Sequence, residues 1–288
     1  MIPVLEYVKA KTLQEALSFL KANPNARIIA GGTDVIPAFQ QGSARYKDVS
    51  GLLDLSGISE LRNIEEKENE VVIGSACTFI EVIKNPIVKK YFPLLVKASS
   101  TVGSLQIRNR ATLAGNIVNN APCADSIPSL LVYDATLEIQ SADGNFEIPL
   151  QQFLQKPYKT QLKNEEIVTK IRIPKVPEGW TGVFYKLGRR ESVSISRITL
   201  AILLKLEDGT IKDARIASGA LTPIGNRFPV LEEKLKGKAC TKDNLQEAAI
   251  ALGKHILEVT GLRWSSPYKL PVVQQLFYQE LSKLIFGK

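Results

Sequence analysis

Two short loops of small residues constrain this chain more than any other feature of its sequence. The first reads Ala-Gly-Gly-Thr-Asp at 30–34 and closes an apolar stretch at 27–30. The second reads Thr-Leu-Ala-Gly-Asn at 112–116. Glycine backbone adopts positive φ and approaches a ligand closely, and free backbone N–H groups form concave anion sites. Two such loops predict a ligand with a long, phosphate-bearing body.

The residues around the first loop predict a helix, a strand, the glycine turn and a second helix. Thr12 to Glu15 has the pattern of a capping box, and the apolar residues that follow recur at helical spacing. A short strand is expected over 27–30, and a helix is expected to begin near Asp34. The phosphate of a ligand would then lie beside backbone N–H groups at the start of that helix.

The middle of the chain predicts further helices and strands on either side of one unusual segment. Strands are expected at 71–74, 134–139 and 167–173, and helices after Thr78 and over 91–100. The segment 102–125 instead has weak periodicity, few charges and several asparagines. We therefore expect it to be a long irregular connection, which in a compact domain is often functional.

The last third of the chain predicts a separate unit. Pro174 to Gly179 is rich in proline and glycine and indicates a domain boundary. Beyond it, the pattern predicts a small antiparallel sheet followed by a helical cluster, with Asp208-Gly209 as a hairpin turn. The expected strands are 184–187, 198–206 and 211–218, and the expected helices are about 226–236, 242–258 and 267–286.

Composition limits the class of protein and its location. The chain has 288 residues, of which 44% are hydrophobic and 23% charged, as in ordinary globular proteins. No apolar run reaches the roughly 18–20 residues of a membrane span, and the N-terminus lacks a signal-peptide layout, so a cytoplasmic protein is expected. The net charge of +8 comes from scattered residues. A solvated basic surface explains it better than an acidic partner, and nucleic acid is not expected.

The chain offers little catalytic chemistry of its own. Its three cysteines, Cys77, Cys123 and Cys240, lie far apart, and His255 is its one histidine. No GxGxxG, GxxxxGK[ST], GxSxG or HExxH pattern occurs. We therefore predict neither a metal ligand nor a catalytic acid or base, and expect a bound cofactor to supply any reactivity.

Asp125, at the end of the asparagine-rich segment, has two interpretations. A dinucleotide requires backbone N–H groups for its phosphates and a carboxylate for its ribose hydroxyls, and Asp125 suits the second need. The alternative is a turn or N-cap aspartate before Ser126 and Pro128.

Three segments in this order resemble the FAD-binding medium subunits of molybdenum hydroxylases. They are AGGTD at 30–34, QIRNRATLAGN at 106–116 and NAPCADS at 120–126. The resemblance extends over nearly the whole chain, and the FAD-binding subunit of bacterial xanthine dehydrogenase is the most similar branch. Flavin subunits of related carbon monoxide, nicotinate or other aromatic-substrate dehydrogenases remain alternatives.

The resemblance implies an α+β fold. A two-piece α/β FAD-binding domain of non-Rossmann type would occupy 1–175, with pieces at about 1–56 and 57–175. A C-terminal domain at 176–288 would hold a three-stranded antiparallel sheet and helices.

The resemblance also implies which residues bind FAD. The first pyrophosphate loop is assigned to Ile28, Ile29, Ala30, Gly31, Gly32, Thr33 and Asp34, and the second to Thr112, Leu113, Ala114, Gly115 and Asn116. Many members have glycine where this chain has Ala114, whose methyl fits unless the position needs positive φ. Asp125 matches an aspartate near the adenosine end, and Ile167 and Lys186 match further FAD-lining positions. Lys186 is otherwise interpreted as a surface lysine on an edge strand.

The function so implied is an electron relay. A large molybdopterin-binding subunit would hydroxylate the substrate, and a small subunit with two [2Fe–2S] clusters would carry electrons to FAD on this chain. NAD or another acceptor would then receive them, in an assembly expected to be a dimer of heterotrimers. Two further alternatives are a flavin oxidase with covalently bound cofactor and a non-catalytic assembly module.

Overall fold

The N-terminal part is built on a small parallel sheet. A computed structural model describes residues 6–287. Three strands align in the order β1-β3-β2, with β1 and β2 both parallel to β3. Helix α1 is capped by the Thr12 hydroxyl and buries its apolar face against the sheet, as predicted. The elements are β1 (Glu6–Lys9), α1 (Leu13–Ala22), β2 (Ala26–Ile29), α2 (Val35–Gln40) and β3 (Gly51–Asp54), with short 3-10 helices at Ala44–Tyr46 and Ser59–Arg62.

A five-stranded antiparallel sheet follows, with helices packed against it. Its strand order is β4-β5-β10-β6-β7. The strands are β4 (Ile64–Glu66), β5 (Glu70–Gly74), β6 (Thr136–Ser141), β7 (Gly144–Pro149) and β10 (Ile167–Pro174), and a hairpin of β8 (Leu154–Lys156) and β9 (Lys159–Thr160) precedes β10. The helices are α3 (Phe79–Lys84), α4 (Pro86–Tyr91), α5 (Pro93–Ser100), α6 (Leu105–Arg108), α7 (Leu113–Asn119), α8 (Ser126–Val132) and α9 (Leu150–Phe153).

The prediction of one long irregular connection over 102–125 is wrong in part, because α6 and α7 lie within it. Each begins at a side-chain cap: the Ser104 hydroxyl accepts from the N–H of Ile107, and the Thr112 hydroxyl accepts from the N–H of Gly115. Helices of four and seven residues are too short to show a hydrophobic period. Their local caps, rather than an apolar face, reveal them.

The C-terminal sheet is antiparallel, with four strands rather than the predicted three. The order is β11-β12-β13-β14. Strand β14 pairs with β13 through only two residues, which is too short for an alternating pattern. Asp208 and Gly209 both have positive φ, as a type I′ hairpin turn requires. The strands are β11 (Trp180–Leu187), β12 (Ile198–Glu207), β13 (Thr210–Gly219) and β14 (Asn226–Arg227).

Helices cover both faces of this sheet. On one face, α10 (Pro229–Leu235), α11 (Lys242–Thr260) and α12 (Ser266–Phe286) form an apolar core with the strands. On the other face, Phe184, Leu203 and Ala217 join the large core that contains α5 and α8. The C-terminal sheet is therefore packed directly against the middle of the chain. Across residues 6–287, none of the helices has the length and apolar character needed to cross a membrane.

Candidate functional site

A cavity of about 510 Å³ lies where the two small-residue loops meet. Its volume falls within the roughly 300–1,000 Å³ of small-molecule sites. Most of its lining comes from three parts of the chain: the first loop with the end of β2, the segment around the second loop, and the stretch from 158 to 168. The cavity thus lies between the parallel sheet and the five-stranded sheet.

Gly31 brings the two loops into contact. A Cβ atom on Gly31 would lie 2.1 Å from the carbonyl oxygen of Arg110 and 2.8 Å from the Cα of Ala111. Both of these are backbone atoms, so neither moves aside easily. Gly32 has φ of +75°, which side chains rarely adopt. Glycine is therefore needed at position 31 because of the close backbone contact, and at position 32 because of the positive φ.

The first loop presents a run of backbone donors to the cavity. Within residues 6–287, the N–H groups of Gly31, Gly32, Thr33, Asp34 and Val35 meet no protein acceptor, and regular hydrogen bonding resumes only where the Ile36 N–H donates to Gly32 at 3.1 Å. All five residues line the cavity. Consecutive free N–H groups attract anions, so this loop is chemically suited to a phosphate group.

The second loop is held by the elements on both sides of it. The Leu113 N–H donates to Cys77 at 3.0 Å, and the Phe79 N–H donates to Ala111 at 3.0 Å. A Cβ on Gly115 would lie 2.7 Å from the Thr112 hydroxyl that caps α7. Ala114 lies in the first turn of α7 and is not among the positive-φ residues, so its methyl causes no backbone strain.

A polar cluster on the cavity wall ties the first loop to the end of α7. The Asp34 carboxylate accepts from Asn119 and, at 3.5 Å, from Arg45. The Arg45 guanidinium also donates to Asn119 at 3.1 Å and lies 4.2 Å from the ring centre of Tyr158. Tyr158 has φ of +59°. Neither Asn119 nor Tyr158 is among the residues predicted from the sequence, where the asparagine-rich composition around Asn119 is the only signal that points to either.

Most of the predicted site residues line this one cavity. The lining residues among them are Ile28, Ala30, Gly31, Gly32, Thr33, Asp34, Thr112, Ala114, Gly115, Asn116 and Ile167. Ile29 and Leu113 belong to the same loops, but Ile29 packs against a small apolar cluster and Leu113 is fully buried. Asp125 and Lys186 are not part of the cavity wall.

Asp125 and Lys186 form a buried ion pair beside the cavity. The Lys186 Nζ donates to Asp125 at 2.6 Å and to the Thr101 carbonyl at 2.9 Å, and Ser196 also donates to Asp125. Burial raises the pKa of the Asp125 carboxyl, and Lys186 and Ser196 act against that shift. Lys186 lies on the edge strand β11, but its side chain is only 10% exposed. Asp125 stands at the start of α8 without a side-chain cap bond.

Two parts of the chain match known families of domains. Residues 3–176 match the FAD binding domain in molybdopterin dehydrogenase. Residues 183–284 match the CO dehydrogenase flavoprotein C-terminal domain.

The chain is similar to whole subunits of known enzymes. It is 31% identical to the xanthine dehydrogenase FAD-binding subunit of Escherichia coli O157:H7, over 99% of this chain and 97% of that one. It is 32% identical to the glyceraldehyde dehydrogenase medium chain of Sulfolobus acidocaldarius, over 95% of this chain and 96% of the relative.

Solved structures give the same result. Carbon monoxide dehydrogenase from Hydrogenophaga pseudoflava superposes with a TM-score of 0.89 at 28% identity, covering 100% of this chain and 99% of that one. Quinoline 2-oxidoreductase from Pseudomonas putida 86 superposes with a TM-score of 0.89 at 25% identity and the same coverage. This chain therefore belongs to the family of FAD-binding oxidoreductase subunits of the molybdenum hydroxylases.

Proposed function

We propose that this chain holds FAD between its two small-residue loops and serves as the electron-transfer subunit of a xanthine dehydrogenase-like complex. In this proposal it connects the [2Fe–2S] clusters of a small partner subunit with NAD or another acceptor. A large molybdopterin-binding subunit carries out substrate hydroxylation. When bound, FAD supplies the redox chemistry, and the residues of this chain bind and position it.

The observation that carries the proposal is the run of free N–H groups from Gly31 to Val35 on the cavity wall. A pyrophosphate is the part of FAD that needs such donors. Gly31 and Gly32 leave room for close approach, since a Cβ at Gly31 would collide with Arg110 backbone. Ala114 and Gly115 would approach the same group from the second loop, where the N–H of Ala114 also lacks an acceptor within residues 6–287.

The rest of the cavity has the mixed character that FAD requires. Ile28, Phe79 and Ile167 supply apolar surface, while Thr33, Asn116 and Lys163 supply polar groups. The cluster of Asp34, Arg45 and Asn119 fixes the wall between the two loops. We assign Asp125 and Lys186 to positioning the cofactor from the C-terminal side, because their ion pair links α8 to β11.

The domain boundary near 175/176 is also part of this proposal. Strand β10 ends at Pro174 and β11 begins at Trp180, so the connection is short. Residues 1–175 would then carry the FAD loops in two pieces at about 1–56 and 57–175. Residues 176–288 would form the second domain, which β11 joins to the first through the Asp125–Lys186 pair.

Replacing Gly32 by aspartate tests the proposal in the purified complex. Gly32→Asp places a carboxylate among the phosphate-binding donors, so we expect loss of bound flavin and of electron transfer while the subunits still assemble. Gly42→Asp is the matched control, because Gly42 also has positive φ but nothing lies within 4 Å of its Cβ position. Flavin absorbance and the FAD released on denaturation are the measurements.

Three outcomes would contradict the proposal. The first is unmodified protein that is colourless and takes up no added FAD. The second is Gly32→Asp protein with an unchanged flavin content. The third is Gly32→Asp protein that loses flavin but keeps full electron transfer, which would favour the non-catalytic assembly module.

A further inference from the structure

The turn between α11 and α12 exposes two large apolar side chains. Leu262 is 85% exposed and Trp264 is 91% exposed, and Arg263 lies between them. We call these three residues the 262–264 turn. Isolated apolar residues on a surface are ordinary, but a tryptophan with nearly its whole surface in water is not. Burial of an indole ring on association contributes strongly to protein interfaces.

Hydrogen bonds hold the 262–264 turn in place. Gly261, at φ of +63°, closes α11 by donating to Leu257 at 2.8 Å. The Arg263 N–H donates to the Ser266 hydroxyl at 2.9 Å, and the Ser266 N–H donates back to the Arg263 carbonyl at 2.9 Å. The two side chains therefore project from a defined backbone, and association would cost little ordering of the chain.

Further apolar residues extend the surface beyond the turn. Tyr268, one turn into α12, is 47% exposed, and its ring centre lies 5.7 Å from the Arg197 guanidinium. Two residues before Arg197 in the β11–β12 connection, Ile195 is 76% exposed. The 262–264 turn and this connection thus meet through Arg197 and Tyr268. Large apolar side chains exposed on two segments that meet in this way are typical of an interaction site.

The same surface carries positive charge that no carboxylate neutralises. Across residues 6–287, none of Arg197, Arg263 and Lys269 takes part in a salt bridge. Burial lowers the pKa of Lys269, and the nearby Arg263 and Arg197 lower it further. The Lys269 Nζ donates to the Ala220 carbonyl at 2.5 Å. An occupant with carboxylates around an apolar recess would complement this arrangement.

Polar contacts connect the surface to the cofactor cavity. Asn116 lines the cavity and accepts from the Ser126 hydroxyl at 2.7 Å. The preceding residue, Asp125, accepts from Ser196, which lies between Ile195 and Arg197. The exposed surface is therefore a few contacts from the cavity wall, on the side where β11 and α8 meet.

We infer that the surface formed by the 262–264 turn, Ile195 and Tyr268 docks the iron–sulfur subunit, whose face would present an apolar recess bordered by carboxylates. The inference rests on the proposed function, because a donor of electrons has to approach the cofactor cavity. Trp264 and Leu262 enter the recess, and Arg263 and Arg197 pair with its rim.

Substitutions in the assembled complex test the inference. Leu262→Ala and Trp264→Ala are each expected to weaken association with the iron–sulfur subunit about tenfold or more, as interface anchors do. Arg263→Glu is expected to weaken it as well and to reduce its dependence on salt. Phe146→Ala is the control, because Phe146 is 45% exposed on β7, at the edge of the five-stranded sheet and far from the turn in sequence. Flavin content should stay at the unmodified level in all four variants.

Trp264 itself provides a second readout. The chain has two tryptophans, so Trp180→Phe leaves Trp264 as the only indole. We expect its emission to be that of a solvent-exposed indole in the free subunit, and to shift to shorter wavelength with protection from acrylamide in the complex.

Four results would overturn the inference. They are unchanged affinity of both alanine variants for the iron–sulfur subunit, unchanged exposure of Trp264 in the complex, selective loss of the large subunit instead, and protection of Trp264 by self-association alone. A colourless unmodified protein would instead contradict FAD binding, and the docking measurements would still give their own answer.

Discussion

One absent Cβ atom, at Gly31, determines how closely the two loops approach each other. The carbonyl of Arg110 occupies the place that a side chain would need, at 2.1 Å from the ideal Cβ position. At Gly32 the constraint is conformational instead, since φ is +75°. The two neighbouring glycines therefore respond to substitution for different reasons, one through collision and one through backbone strain.

We expect Gly31→Ala to separate the loops and to lower both stability and flavin affinity. Overpacking against backbone destabilises a protein by typically about 1–3 kcal/mol. Gly42→Ala strains the backbone without a collision and lies outside the cavity wall, so it should cost about 1 kcal/mol and leave flavin affinity unchanged. Thermal unfolding and flavin titration check both results, and equal flavin affinity in the two variants would contradict the role of Gly31.

The Tyr7 hydroxyl on β1 donates to the Asp54 carboxylate at the end of β3, at 2.6 Å. Burial acts to raise the pKa of the Asp54 carboxyl, but the Tyr7 hydroxyl and Ser56 outweigh it, and the pKa lies below its ordinary value. The bond to Asp54, followed by burial, raises the pKa of Tyr7. The pair is therefore strongest with Asp54 ionised and Tyr7 neutral.

Tyr7→Phe should destabilise the protein by about 1 kcal/mol at neutral pH, at the low end for a bond to a charged group because Tyr7 is more than half exposed. Because the pKa of Asp54 is lower in the folded protein, Asp54 stabilises the fold at pH values above its unfolded-state pKa of about 3.9. This stabilisation is lost as the pH falls through the folded-state pKa. Because the pKa of Tyr7 is higher in the folded protein, Tyr7 stabilises the fold at pH values below its unfolded-state pKa of about 10. This stabilisation is lost as the pH rises through the folded-state pKa. Unfolding by denaturant across pH should show the difference shrinking at both ends, and a constant difference would contradict this account.

At the scale of elements, the short helix α7 positions the second loop. Its cap, the Thr112 hydroxyl, accepts from the Gly115 N–H at 3.1 Å, and both residues line the cavity. A comparable cap at Thr12 starts α1, where the hydroxyl accepts from Glu15 at 3.2 Å away from the cavity wall. The two threonines have the same local structure and differ in what their helices support.

Thr112→Val should therefore affect FAD binding where Thr12→Val does not. Loss of either cap costs typically about 1 kcal/mol of stability. Only the Thr112 variant should also lose flavin affinity, by roughly fivefold if that free energy is transferred to the site. Thr112→Ser should retain both properties because it keeps the hydroxyl. Flavin titrations of the three variants measure these affinities. Equal losses of flavin affinity in Thr12→Val and Thr112→Val would show that the effect comes from overall stability and not from the site.

Across the whole molecule, the pair Asp125–Lys186 connects the middle of the chain to the C-terminal sheet. Asp125 precedes α8, Lys186 lies on β11, and the two side chains are only 6% and 10% exposed. The large apolar core also contains residues from both parts, including Leu130 and Leu203. The two parts therefore share packing as well as charge, which favours cooperative unfolding.

Removing one member of the pair should be costly, because a buried charge would lose its partner. Lys186→Met is expected to destabilise the chain by about 3–5 kcal/mol, and Asp125→Asn by a smaller amount. The double variant should recover part of the loss, giving a clear coupling free energy in a double-mutant cycle. Denaturant unfolding gives the free energy of unfolding of the unmodified chain, the two single variants and the double variant. If the losses of the single variants add up to that of the double variant, the pair contributes no coupling free energy.

Local signals predicted much of the site and fold. The glycine-rich loops, the capping pattern at Thr12 and the Asp208-Gly209 turn all act over a few residues, and the structure confirms their local conformations. The predicted number of C-terminal strands is wrong because β14 pairs through only two residues. Asn119 and Tyr158 were missed because their contacts join parts of the chain distant in sequence.

The sequence by itself determined that two small-residue loops would follow defined local elements, that no GxSxG or HExxH pattern occurs, and which family the chain resembles. Only the tertiary structure decided that both loops line one cavity, that Asp125 pairs with Lys186 beside it, and that Trp264 projects into water. The reason is physical: backbone conformation is set by neighbouring residues, whereas cavities, ion pairs and exposed surfaces depend on which distant segments pack together.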